Sequence, residues 1–105
     1  MRYEWDERKN RSNQRKHGVS FELATLVFED DNCLIYPDRI DEHTRELRWI
    51  AVGAAQTEYG APILLVTVHV YREAEYGEEI IRIIPAREAQ KDDIRRYQAQ
   101  AMDQE

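Results

Sequence analysis

The sequence predicts an α+β fold, with two helices near the N-terminus, an antiparallel β-sheet meander and a C-terminal helix. The chain has 105 residues, enough for one hydrophobic core. Apolar residues recur at helical spacing near both ends and in strand-like runs between them. The connections between the central strand candidates are short, which favours antiparallel pairing of successive strands.

Two helices are predicted before most of the sheet. Residues 7–16 form a polar run that follows Asp6, a residue type that caps helix N-termini. Gly18 comes soon after this run and is typical of a helix end. Ser20 stands where it can cap a second, shorter helix, because the apolar positions of residues 21–28 again have helical spacing.

Runs of apolar and β-branched residues predict five strands, at residues 3–5, 33–36, 46–53, 62–72 and 79–84. The run at residues 62–72 is apolar on both faces, as a central strand would be. The connections at residues 58–61 and 75–78 contain glycine and have the composition of hairpin turns. Pro37 and Pro85 are expected to end the strands that precede them, because proline cannot donate a sheet hydrogen bond.

The last helix is predicted to begin with Pro85 in its first turn. The residues that fall close to one face of this helix are Ala86, Ile94, Tyr97 and Ala101. The tail at residues 102–105 is expected to fray. Because the chain contains no internal repeat, low-complexity block or linker, residues 1–105 are interpreted as a single domain.

Charge and composition narrow the functional classes. A net charge of -6 counts against a general nucleic-acid-binding protein, whose surface is usually basic. Residues 1–20 nevertheless carry six Lys and Arg against three Asp and Glu, so a basic face remains open. The single cysteine, Cys33, excludes an internal disulfide. The chain has neither a bilayer-length apolar run nor a signal-peptide core, which predicts a cytoplasmic location without membrane contact.

One run of residues is specific enough to indicate a family. It is the segment Lys-His-Gly-Val-Ser-Phe-Glu at residues 16–22, which follows Tyr-Glu-Trp-Asp at residues 3–6. Further pieces stand at residues 45–53, 81–87 and 96–97. In this order and spacing the segments resemble the BrnT family of bacterial toxin ribonucleases. One departure is Pro85, at a position where the family usually has serine.

The resemblance implies a fold, an activity and a partner. The fold would be similar to that of RelE-type toxins. The activity would be metal-independent endoribonuclease cleavage, without a cofactor, by the toxin of a type II toxin–antitoxin pair. The partner would be a BrnA-like antitoxin with a ribbon-helix-helix domain, through which alone the toxin would reach operator DNA.

Metal-independent cleavage of RNA by its own 2′-hydroxyl requires a base, an acid for the leaving 5′-oxygen, and cations beside the phosphorane. His17 is the acid–base candidate, because imidazole titrates near neutral pH. The arginines expected to act in catalysis are Arg48, Arg82 and Arg87. The residues expected to bind substrate are Arg72, Lys16 and Tyr97.

Each candidate also has an ordinary structural explanation. His17 can interact with the C-terminal end of a helix dipole. The arginines can pair with nearby carboxylates, for which the candidates are Glu46, Glu79 and Glu88. Glu73 or Tyr97 could take the place of His17 as proton carrier, and Tyr97 can equally pack its ring against the sheet. His43 is expected in solvent, and His69 is expected to be a hydrogen-bonded core residue.

No other constellation competes strongly. The three histidines and Cys33 are dispersed without metal-ligand spacing, which argues against zinc. Two functions therefore stay open: an RNA-cleaving toxin with its arginines gathered on one sheet face, and a non-catalytic module that binds an antitoxin-like partner. The acidic charge and Pro85 favour the module. A positive cleft would favour the enzyme, whereas arginines that each pair with a carboxylate would favour the module.

Overall fold

The structure, a computed structural model, describes residues 1–103. Its strands are β1 (Arg2–Glu4), β2 (Leu34–Ile40), β3 (Leu47–Ala55), β4 (Ile63–Glu73) and β5 (Glu79–Glu88). Its α-helices are α1 (Glu7–His17), α2 (Phe21–Ala24) and α3 (Lys91–Asp103), and a 3-10 helix over Thr25–Glu29 directly follows α2. The predicted α+β class is confirmed. Within residues 1–103, no helix combines the length and apolar character needed to cross a bilayer.

The five strands form one mixed sheet in the order β1-β5-β4-β3-β2. Strands β2 to β5 form the predicted antiparallel meander. The prediction of a wholly antiparallel sheet is wrong, because β1 pairs with β5 in parallel. Such a pairing needs a long crossover connection, and here α1, α2 and three further strands lie between the two partners.

Two prolines lie inside strands, so the predictions that they end strands are wrong. Pro37 belongs to β2, an edge strand whose register shifts directly after it. Pro85 lies in β5 where the register shifts opposite Thr67 to His69, and a bulge interrupts the ladder there. Because β5 continues to Glu88, Ala86 belongs to a strand, and the predicted start of the last helix at Pro85 is also wrong.

The ends of α1 and the start of α2 follow the predicted capping chemistry. The Asp6 side chain accepts a hydrogen bond from the Arg8 N–H at 2.9 Å. Gly18 has a φ of 69°, and its N–H donates to the Gln14 carbonyl at 2.9 Å. The Ser20 hydroxyl accepts from the Leu23 N–H at 3.0 Å. At the other end of the chain, α3 reaches residue 103, and of the predicted frayed tail residues 104 and 105 lie outside the described residues.

Buried amides attach α1 to the edge of β5. The Asn13 side chain donates to the Ala86 carbonyl at 2.7 Å and to the Val19 carbonyl at 2.8 Å, and it accepts from the Ala86 N–H at 3.1 Å. Asn10 accepts from the Phe21 N–H at 2.8 Å. Since α1 contains no apolar residue, these hydrogen bonds take the place of an apolar face. They fix the last turn of α1 beside β5.

One face of the sheet packs against α2 and the 3-10 helix, and we call it the helix face. Its core consists of buried Phe21 and Val27 from the helices and buried side chains such as Ala51, Leu65, Ile81 and Ile83 from the strands. Trp5 packs edge-on against Phe21, with ring centroids 6.2 Å apart. Trp49 packs against Tyr71 in the same way at 5.8 Å. Both tryptophans therefore have packing roles.

His69 is fully buried on the helix face, between Phe28 and Tyr71, each with its ring centroid 4.9 Å away. The prediction of a core position is confirmed, but the expected hydrogen bonding is wrong. Neither ring nitrogen makes more than a weak contact with the Thr67 backbone, and the Thr67 hydroxyl has no hydrogen-bond partner. Burial lowers the pKa of His69 to about 4, so the ring stays neutral in the fold.

Close packing under the 3-10 helix requires glycine at position 53. A Cβ atom at Gly53 would lie 2.9 Å from both the Cγ1 atom and the carbonyl oxygen of Val27. Gly53→Ala is therefore expected to lower the free energy of unfolding by about 1–3 kcal/mol, measured by urea denaturation. In a Val27→Ala background one of the two contacts is gone, and the added cost of Gly53→Ala should be smaller. An equal cost in both backgrounds would contradict this explanation.

Candidate groove on the arginine face

The four predicted arginines lie on the sheet face opposite to the helix face, which we call the arginine face. They are Arg48 of β3, Arg72 of β4, and Arg82 and Arg87 of β5. Directly paired residues point to the same side, and the pairs with Ile80, Val70 and Val66 place Arg72, Arg82 and Arg87 together. Arg48 neighbours Trp49, which shares the helix face with its partner His69, so Arg48 points to the arginine face.

A groove runs from α1 onto this face. Two adjoining depressions, of about 180 and 110 Å³, share His17 and Pro85. The first depression is lined by Ile84 of β5 and by four residues of α1, namely Lys9, Ser12, Asn13 and Lys16. The second is lined by Ile50, Val66, Val68, Ala86 and Arg87. The groove therefore has an apolar floor and carries basic side chains along its length.

Three of the predicted site residues are brought together in this groove, namely His17, Lys16 and Arg87. His17 and Lys16 are exposed on the last turn of α1, next to Asn13 and its bonds to Ala86. Lys9 is a groove residue that the sequence analysis did not select. Its spacing of seven residues from Lys16, two helical turns, is the signal that places both on the same side of α1.

Arg87 reaches the groove from β5 and not, as predicted, from the start of a helix. Its Nη1 atom donates to the Asp93 carboxylate at 2.9 Å and to the Glu88 carbonyl at 3.1 Å. Asp93 also accepts from the Gln90 N–H at 2.9 Å. Partial burial acts in the opposite direction, but the hydrogen bonds from Arg87 and Gln90 keep the pKa of Asp93 below its usual value. This ion pair ties β5 to α3.

Arg48 is the least exposed of the four arginines, with 15% of its side chain accessible. Its Nε atom lies 4.0 Å from the Asp38 carboxylate, and its Nη1 atom lies 3.8 Å from that of Asp41. The Nε group makes no hydrogen bond. Hydrogen bonds from the Thr44 and His43 backbone, and then the charge of Arg48, lower the pKa of Asp41. The guanidinium is thus near two carboxylates, but its contact with both is loose.

Arg72 and Arg82 share a carboxylate. Arg72 donates two hydrogen bonds to Glu46, at 3.2 and 3.1 Å, and one to Glu4 at 3.3 Å. Arg82 donates to the same Glu4 oxygen at 3.2 Å. The hydrogen bond from Arg72 is the main reason why the pKa of Glu46 is lowered. Glu46 was one of the predicted partners, whereas Glu4 was not, because it is distant in sequence.

Tyr97 lies on α3 outside the set of residues that line the groove. Its hydroxyl donates to the Asp30 carboxylate at 2.6 Å. Burial and the hydrogen bond to Asp30 raise the pKa of Tyr97 to about 12, so the phenol stays protonated at neutral pH. Partial burial opposes the effect, but hydrogen bonds from Ala54 and Tyr97 lower the pKa of Asp30. The contact anchors α3 to the end of the 3-10 helix.

The other chemically interesting side chains lie apart. Glu73 ends β4 and lines a different depression with Tyr71 and Gly77. His43 is exposed in the β2–β3 connection. Cys33 is a free, half-buried thiol whose pKa burial raises to about 12. Among residues 1–103, no group of three or more His, Cys, Asp and Glu side chains is arranged to hold a metal ion.

Comparison with known proteins gives one family. The sequence profile described as "Ribonuclease toxin, BrnT, of type II toxin-antitoxin system" matches residues 5–93. The matched segment contains α1, the groove and all four arginines, and it ends in the first turn of α3, before Tyr97. No curated protein matches the chain significantly. Because the match covers most of the chain, the protein belongs to the BrnT family of ribonuclease toxins from type II toxin–antitoxin systems.

Proposed function

We propose that this protein is a metal-independent endoribonuclease that cleaves RNA by attack of the ribose 2′-hydroxyl, with the groove as its active site. The observation that carries the proposal is the meeting of His17, Lys16 and Arg87 along one groove. A proton carrier and two cations are the groups that this reaction needs. The RelE-like fold and a cytoplasmic site of action are parts of the same proposal.

In the proposed reaction the 2′-oxygen forms a bond to phosphorus and the bond from phosphorus to the 5′-oxygen breaks. His17 accepts the proton of the 2′-hydroxyl, and a lysine ammonium of the groove, from Lys9 or Lys16, supplies the proton to the leaving 5′-oxygen. Arg87 donates to the equatorial oxygens of the phosphorane. The products are a 2′,3′-cyclic phosphate and a 5′-hydroxyl.

The arginines farther from His17 have supporting roles in this proposal. Arg48 and Arg82 lie on the same sheet face as Arg87 but do not line the groove. Arg82 is four residues from Arg87 along β4, or roughly 13 Å. In this proposal Arg48 and Arg82 stabilise negative charge on the reacting or neighbouring phosphates of the RNA. Arg72 binds the RNA backbone farther from the cleaved bond. Tyr97 contacts RNA in this proposal only when the RNA extends as far as α3. Surface ion pairs contribute about 0–1 kcal/mol, so phosphates can replace the present carboxylate partners.

One observation favours a second function. Each of the four arginines already has a carboxylate nearby: Asp38 and Asp41 for Arg48, Glu4 and Glu46 for Arg72, Glu4 for Arg82, and Asp93 for Arg87. A face neutralised in this way fits a non-catalytic module that binds its antitoxin without efficient cleavage of RNA. In both cases we propose a BrnA-like antitoxin with a ribbon-helix-helix domain as the partner, and operator DNA is reached only through it.

The test is cleavage of RNA by the purified protein in the presence of a chelator. We expect products with 2′,3′-cyclic phosphate and 5′-hydroxyl ends, identified by mass spectrometry. The matched substrate carries a single 2′-deoxynucleotide at the cleaved position and should stay intact there, because the attacking hydroxyl is missing.

Cleavage of the 2′-deoxy substrate would overturn the proposed chemistry, and loss of activity with the chelator would overturn metal independence. Intact RNA under all conditions, from folded protein that binds its antitoxin, would establish the non-catalytic module instead.

A further inference from the structure

The strongest unexplained charge on the molecule lies on α1. The helix carries five lysine and arginine side chains and one acidic residue within Glu7–His17. The basic side chains are Arg8, Lys9, Arg11, Arg15 and Lys16, and all are exposed. In a protein of net charge -6 this is a concentrated patch of opposite sign.

These cations differ from most of the others in having no partner. Within residues 1–103, none of the five forms an ion pair, whereas every arginine on the sheet except Arg39 of β2 does. Within the described residues, the five side chains make no hydrogen bonds either. The hydrogen bond that Arg8 donates to Asp6 comes from its backbone N–H and not from its guanidinium. The charge of α1 is therefore available to a ligand.

The five side chains form two stripes along the helix. Arg8, Arg11 and Arg15 have the spacing i, i+3 and i+7, which places them on one side over about 10 Å. Lys9 and Lys16 form the neighbouring stripe, and these two line the groove next to His17. Lys9 and Lys16 lie roughly 115° around the helix axis from the outer stripe, between it and His17, so the basic surface of α1 reaches the groove through these two lysines.

We propose that the outer stripe, Arg8, Arg11 and Arg15, docks the phosphate backbone of single-stranded RNA whose cleaved bond lies in the groove. The inference rests on the proposed function and adds to it an extended binding surface. It assigns affinity mainly to α1 and the chemical step to the groove. RNA extending several nucleotides from the cleaved bond is then a better substrate than a dinucleotide.

The chemistry of α1 favours a polyanion over an acidic protein surface as the occupant. Protein interfaces usually have an apolar or aromatic core, and α1 contains no apolar side chain at all. Phosphate backbones are recognised by arginine and lysine without such a core. Lys9 and Lys16, which lie between the outer stripe and His17, give a phosphate backbone a path into the groove, and this supports the same occupant.

The test compares the wild type with an Arg8→Gln, Arg11→Gln, Arg15→Gln variant. Binding is measured on fluorescent 2′-O-methyl single-stranded RNA, which has no free 2′-hydroxyl and stays intact, between about 50 and 200 mM salt. Since each lost phosphate contact reduces the salt slope by about 0.7, the slope should fall by about 2. On cleavable RNA, KM should rise while kcat stays within about twofold. Glutamine is a good helix former, and circular dichroism checks that α1 is retained.

The matched control removes the same charge elsewhere, as Arg39→Gln, Arg45→Gln, Lys91→Gln, and should change neither the slope nor KM appreciably. The inference is overturned if both triple variants behave alike, or if the α1 variant loses affinity for the antitoxin but not for RNA. Wild type that binds the uncleavable RNA through α1 but never cleaves the natural strand would overturn the proposed function and leave this inference standing.

Discussion

Replacement of His17 by asparagine is expected to lower kcat for RNA cleavage by about 100-fold or more, with a much smaller change in KM. Asparagine is polar and close in size, but it cannot take up the 2′-hydroxyl proton. Because His17 is exposed at the end of α1 and makes none of the amide contacts that hold the helix, the fold is expected to survive the change.

The matched control is His43→Asn, since His43 is also exposed but lies in the β2–β3 connection, outside the groove. It should retain cleavage within about twofold. The measurement is single-turnover cleavage over a range of pH. Cleavage by the His17 variant within about threefold of wild type at every pH would remove His17 from the mechanism.

A loss of about 2 kcal/mol in the free energy of unfolding is expected between pH 7 and pH 5 from His69 alone. The unfolded chain takes up a proton near the ordinary histidine pKa of 6.5, whereas burial keeps the folded-state pKa at about 4. Because the pKa of His69 is lower in the folded state than in the unfolded state, the stability that its neutral ring contributes is fully present above pH 6.5. That stability is lost progressively as the pH falls towards 4. Urea denaturation at the two pH values measures it.

The comparison variant is His69→Leu, which has similar volume and no titrating group. Since neither ring nitrogen of His69 makes more than a weak contact with the Thr67 backbone, the change removes little hydrogen bonding and should be nearly neutral at pH 7. The variant should then be more stable than wild type at pH 5. Equal losses in the two proteins would contradict the explanation. If the variant does not fold, the NMR titration of His69 in wild type decides, because its ring signals should stay unchanged down to about pH 5.

Local sequence signals predicted α1 well. The polar run after Asp6 and before Gly18 places α1 to within one residue, because capping is a short-range interaction between neighbours in sequence. The predictions that Pro37 and Pro85 end strands were wrong because the effect of a proline on a strand depends on long-range structure. Whether Pro37 or Pro85 breaks a strand depends on whether it meets an edge or a bulge, and both are properties of the assembled sheet.

The candidate site could be predicted by residue type but not by arrangement. The arginines of β3, β4 and β5 share a face because their strands alternate, and that pattern is visible in the sequence once the strands are aligned. Their carboxylate partners are not visible there, since Glu4 and Arg82 are 78 residues apart and meet only through the parallel pairing of β1 with β5. For the same reason the sequence predicted an antiparallel sheet and not the parallel pairing of β1 with β5.

The bonds between Asn13 and Ala86 have a consequence for synthesis of the protein. They join residues 73 positions apart, and the groove lies between the two elements that they connect. While β5 is still inside the ribosome, the nascent chain lacks one wall of the groove and the strand that holds α1 in place. Contacts between such distant segments form late. The groove is therefore complete only after β5 has emerged, although α1 was made long before it.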